Sequence, residues 1–70
     1  MINKQKRLLR SKILEKYNHI KEFCKDVGIN ESAFSLRMNG HRLFTVDEMK
    51  KIMHLLKLNN KDFLFIFFSE

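Results

Sequence analysis

The chain has no proline, only two glycines and a single cysteine. Without proline to break them, helices must be ended by capping residues and by Gly28 and Gly40, which therefore mark the sharp turns. One cysteine excludes an internal disulfide. The longest uninterrupted apolar run, Phe63 to Phe68, is six residues, far short of the roughly 20 that a spanning helix needs. No Gly/Ser linker and no internal repeat divides the chain, so its 70 residues are expected to form one domain, 1–70. That length excludes two-domain architectures and most enzyme folds with a sizeable substrate cavity. It also limits the core, because a chain of this size buries only about 60% of its unfolded surface. Helix packing or a partner chain has to supply the stability that disulfides would otherwise give. The basic N-terminus leads into an amphipathic segment, not a continuous apolar one, so the expectation is a cytoplasmic protein without a signal peptide.

Apolar residues and positive charge are plentiful. Hydrophobic residues make up 44%, including seven Phe, which is too many for a disordered chain. Fourteen Lys and Arg stand against eight Asp and Glu, for a formal charge of +6 and a pI near 9.8. The excess is uneven: residues 1–30 carry eight basic and three acidic side chains, whereas residues 31–70 carry six and five. The first twelve residues hold Lys4, Lys6, Arg7, Arg10 and Lys12 with no anion. Such asymmetry in a small domain points to nucleic acid, and less often to an anionic membrane surface. The same cations also suit the solvated face of a first helix.

Periodicity predicts helices throughout. Leu9, Ile13 and Tyr17 recur at four-residue spacing between Lys4 and Tyr17, with Leu8 and Leu14 beside them. Asn18 and His19 interrupt this pattern, and Ile20, Phe23, Cys24 and Val27 form a second stripe that Gly28 ends in the left-handed conformation. Asn30 is placed to cap a third helix from Glu31 to Met38, stopped by Asn39 and Gly40. Thr45 with Glu48 three residues later is a capping box for a fourth helix, with Met49, Ile52, Met53 and Leu56 on its inner face. Asn59 or Asn60 caps a last segment, Lys61 to Phe68, which periodicity alone leaves as a helix or a short strand.

The run from Ile20 to Gly40 carries the functional signal, as two short helices joined by a turn of about three residues around Gly28. Gly28 reaches positive φ without a Cβ clash, and Cys24, four residues earlier, supplies a small side chain where the helices pass closest. Phe23, Val27, Ile29 and Phe34 wedge the two helices together. A plain helical hairpin satisfies the same spacing without a DNA groove.

These residues resemble a known family. Phe23-Cys24-Lys25-Asp26-Val27-Gly28-Ile29-Asn30-Glu31-Ser32, followed by Phe34-Ser35-Leu36 and Asn39-Gly40, looks like the Cro/C1-type (XRE-like) helix-turn-helix of phage repressors. The stretch SLRMNGHRLFTVDEM, with Phe67 and Phe68 near the end, is similar to small Cro-like regulators from phages of Gram-positive bacteria. The resemblance covers about residues 7 to 68. It implies an all-α, compact five-helix lambda-repressor-like domain whose third helix lies in the major groove of operator DNA. Asn30, Glu31, Ser32, Ser35, Leu36 and Asn39 would then face bases or phosphates, with His41 and Arg42 following in a basic loop. The side chains suit these roles: Asn39 can bond adenine bidentately, Glu31 can accept from cytosine, and Leu36 can touch a thymine methyl. A guanine-reading cation is missing unless Arg37 is that residue. One of Leu36, Arg37 and Met38 must also face the core, since a position often aliphatic in the wider family holds Arg37 here.

Other chemistry is poorly represented. Cys24 on an apolar stripe reads as a small hydrophobe. His19, His41 and His54 lie in separate elements without metal-ligand spacing. No grouping assembles a nucleophile, a base and an orienting residue. The expectation is a regulator without catalytic residues, cofactor or metal, which binds double-stranded operator DNA as a homodimer in a phage or prophage switch. The rival is an interaction module of the same fold that binds and inhibits a phage repressor. The Phe-rich tail has two readings, core packing or an interface through Phe65, Phe67 and Phe68.

Overall fold

Gln5, Leu9 and Ile13 are spaced four apart on one helical stripe, and all three are buried. In the computed structural model, which describes residues 1–68, this stripe belongs to α1 (Asn3–Lys16). It is followed by α2 (Ile20–Val27), α3 (Glu31–Met38), α4 (Val46–Leu56) and α5 (Asn60–Phe68). The architecture is all-helical, with no strand among the described residues. The helices fill a volume of about 27 × 25 × 21 Å.

Local chemistry sets the helix boundaries. Tyr17 leaves α1 in an extended conformation, and its hydroxyl donates to Asp26 Oδ2 at 2.8 Å, tying the end of α1 to α2. Gly28 ends α2 at φ 93°, and the amides of Gly28 and Ile29 both donate to the Cys24 carbonyl. Lys51 Nζ reaches from α4 to the Val27 carbonyl at 3.5 Å, so a cation sits at the negative end of α2. Asn30 Oδ1 accepts from the Ala33 amide at 2.7 Å and opens α3. Thr45 and Glu48 form the expected reciprocal capping box of α4. The last segment is a helix, and Asn59 is its cap, accepting from the Asp62 amide at 2.7 Å. A lone strand at this position would have had no ladder partner for its backbone groups.

The core contains Leu9 and Ile13 from α1, Phe23, Cys24 and Val27 from α2, and Phe34 and Met38 from α3. Ile52 and Leu56 of α4, Leu58 of the α4–α5 connection and Ile66 of α5 complete it. Through it runs a chain of edge-on ring contacts from Tyr17 to Phe23, Phe34, Phe44 and Phe67, with centroid separations of 5.3–6.0 Å. Leu14 lies outside this core, about half exposed. Gln5 is its polar exception. Its Nε2 donates to the Phe65 carbonyl at 3.0 Å and its Oε1 accepts from the Ile2 amide at 2.7 Å, fastening the start of α1 to α5.

Candidate functional site

The three consecutive residues 36–38 of α3 point in three directions. Met38 is buried and Leu36 is 40% exposed. Arg37 turns toward α4, where its Nε donates to Glu48 Oε1 at 2.8 Å and its Nη1 donates to the Ala33 carbonyl at 3.1 Å. The guanidinium expected to approach DNA is thus a structural joint between α3 and α4. The physical reason is that Glu48, held in place by its own capping bond to the Thr45 amide at 2.9 Å, presents a fixed carboxylate there.

The other expected residues of α3 stay on the outside. Glu31, Ser32, Ser35 and Asn39 are exposed with Leu36, and Asn30 is occupied at the cap. Glu31, Ser35 and Asn39 recur every four residues and line one wall of a cleft of about 590 Å³. Lys6, Arg7 and Arg10 of α1 line the facing wall, and Ile13, Ile20, Phe34 and Met38 contribute its apolar lining. Across this cleft Lys6 Nζ donates to Asn39 Oδ1 at 3.1 Å, and Asn39 Nδ2 donates to Ser35 Oγ at 3.4 Å. His41 and Arg42 follow α3 on the exposed loop, which the His41 amide anchors by donating to the Leu36 carbonyl at 2.9 Å.

The five N-terminal cations therefore do not act as one patch. Positions 3, 6, 7 and 10 share the face that looks at α3, as helical periodicity requires. Lys12 is turned the other way, 3.5 Å from Asp62 of α5 and 4.0 Å from Glu15. The cations themselves were legible in the sequence, but the alignment of positions 6, 7 and 10 with the stripe 31, 35, 39 was not, because it depends on how α1 is placed against α3.

Two further features fill in the surroundings. Burial, and secondarily the Glu31 carboxylate, push the Cys24 thiol above its ordinary value, so it is protonated and buried at neutral pH. Phe65 and Phe67 are partly buried against the core, and Phe67 packs on Phe44 and Phe63. Phe68 is 62% exposed, and Leu64 beside it is also exposed. A second groove of about 450 Å³ includes Met1, Ile2, Leu43, Phe44, Phe67 and Phe68. Among the described residues no helix is long and apolar enough to cross a membrane, and no three His, Cys, Asp or Glu side chains gather where they could hold a metal ion.

Comparison with curated proteins and with solved structures finds no match. A family model described as protein of unknown function (DUF739) matches residues 4–70. Since this is nearly the whole chain, the protein belongs to the DUF739 family.

Proposed function

We propose that this protein is a sequence-specific DNA-binding transcription regulator of the Cro type, built on a lambda-repressor-like helix-turn-helix in which α2 and α3 form the motif. The observation that carries the reading is the outer face of α3. It is polar apart from Leu36, exposed and free of core duty, and it borders a row of cations on α1. An α-helix with its side chains is about 10–12 Å across, which the major groove of B-DNA, about 12 Å wide, admits. Ser32, Ser35 and Asn39 supply donors and acceptors for base edges, and Leu36 an apolar surface for thymine methyls. Lys6, Arg7 and Arg10 of α1, together with His41 and Arg42 of the loop after α3, supply the phosphate contacts that fix register. The protein acts as a homodimer on a two-fold operator, the second copy covering apolar surface around Phe68. A gel shift against the DNA flanking its own gene, repeated over a salt series, tests this. Log affinity should fall with log salt at about −0.9 per neutralised phosphate. A duplex affinity that ignores salt refutes it.

The withdrawal of Arg37 favours one rival. An α3 face with no guanidinium and with the Glu31 carboxylate also suits a protein partner, as in an antirepressor that binds a phage repressor. If the chain retards no duplex at low salt yet abolishes the shift produced by a neighbouring repressor, that second reading stands instead.

A further inference from the structure

We infer that Lys6 is a specificity-determining positioning residue, one that sets the orientation of the Asn39 amide and joins phosphate contact to base reading. The inference rests on the DNA-binding reading above and goes beyond it. Lys6 is on α1, outside the α2–α3 unit, and 33 residues separate it from Asn39.

The chemistry of the three groups leads there. An ammonium donates and never accepts, so the Asn39 atom 3.1 Å from Lys6 Nζ has to be Oδ1. Ser35 Oγ, 3.4 Å away on the preceding turn of α3, takes a hydrogen from Nδ2. The two contacts together define which end of the amide is oxygen and which is nitrogen. Each occupies only half of its atom's capacity, because Oδ1 has two lone pairs and Nδ2 two hydrogens. One acceptor site and one donor site remain for an outside partner. That pair is what bidentate recognition of adenine uses, oxygen toward the N6 amino group and nitrogen toward N7. An unrestrained asparagine at the end of α3 would present both orientations and would lose rotamer freedom on binding.

Lys6 has more than this one bond to give. Its ammonium carries three hydrogens, and it stands with Arg7 and Arg10 on the cationic wall of the cleft. A phosphate drawn to that wall meets the same ammonium that orients Asn39. Lys6 therefore contributes to sequence preference without touching a base, and a cation placed elsewhere on α1 cannot replace it.

The test compares Lys6→Met, Lys6→Arg, Asn39→Ala and the double variant Lys6→Met/Asn39→Ala on the duplex that the parent selects from a random pool, and on single-base-pair changes of it. Lys6→Met should lower discrimination at the base pair read by Asn39 roughly tenfold. It should add nothing to the loss of discrimination in Asn39→Ala, whereas Lys6→Arg, which still donates, should keep the parent's preference. In the free protein, Lys6→Met should shift the Asn39 side-chain amide signals in a ¹⁵N spectrum and leave the backbone pattern of α3 in place. Equal loss on every duplex, or losses that add in full in the double variant, would make Lys6 a simple phosphate contact and overturn the inference. A parent chain that retards no duplex at low salt removes the DNA-binding reading itself, and the inference with it.

Discussion

Removing the Glu48 carboxylate perturbs the joint between α3 and α4 at its centre. Its Oε1 accepts from Arg37 Nε at 2.8 Å and from the Thr45 amide at 2.9 Å. The two side chains are only 16% and 13% exposed, so solvent screens this pair less than an ordinary surface ion pair. Glu48→Ala deletes one half of the capping box, a net effect of about 1 kcal/mol. It also deletes a charge-assisted hydrogen bond, for which about 1.5–3 kcal/mol is typical. The Arg37 guanidinium is then left with the Ala33 carbonyl at 3.1 Å and little water. The sum is about 2.5–4 kcal/mol, a large share of what a small domain has. At roughly 4–8 °C per kcal/mol for a domain of this size, the variant should melt about 10–30 °C below the parent. Glu48→Gln keeps an acceptor for Thr45 and Arg37 and should lose about half as much. Arg37→Met retains the packing of the aliphatic stem and leaves the capping box intact. A double-mutant cycle of Glu48→Ala with Arg37→Met, followed by thermal and urea unfolding under circular dichroism, should give a coupling of about 1–2 kcal/mol. Arg37→Met should destabilise the fold while leaving the DNA affinity of the folded fraction unchanged. A coupling near zero, or an Arg37→Met variant that melts like the parent but has lost duplex binding, would refute the reasoning and return Arg37 to the DNA.

Four further outcomes follow from the geometry. Asn39→Ala should relax preference at one base pair by about 1–3 kcal/mol, whereas Arg42→Ala weakens all sequences alike; equal losses on specific and random DNA would contradict the division of roles. At Gly28, φ is 93° and an added Cβ would meet nothing closer than Lys51 Nζ at 3.9 Å, so the penalty is conformational, not steric. Gly28→Val should cost about 1–3 kcal/mol and Gly28→Asn clearly less, as urea unfolding of the two variants will show. Because the Cys24 thiol is raised above its ordinary value of 9.0 by burial and by Glu31, its contribution to stability is complete below that pH. It is lost as the pH rises through the folded-state value, so urea stability should decline on the alkaline side in the parent and decline less in Cys24→Ala. Cys24 should also resist alkylation at neutral pH until the domain opens, and fast labelling of the native protein would show that α2 does not bury it.

Most of the helix ends were legible in the sequence because the forces that make them are local. Gly28 ends α2 since left-handed backbone is cheap only for glycine. Asn30 and Thr45 start α3 and α4 because their side-chain oxygens reach amides three residues ahead. The stripe of Leu9 and Ile13 is likewise a property of one helix. Packing decided what crosses between helices. Periodicity left the Phe-rich tail open because alternating and helical faces look alike in a short run of apolar residues. Burial of Ile66 and the fit of Phe67 against Phe44 belong to the packed helix. Nothing local marks Gln5 for burial, since its amide is satisfied by the Phe65 carbonyl 60 positions away. Arg37, the one cation on α3, turned inward because Glu48, 11 residues on, stands within hydrogen-bond reach. Whether Lys6 touches Asn39 depends on how α1 crosses α3, and that crossing is set by side chains of all five helices interlocking around one small core.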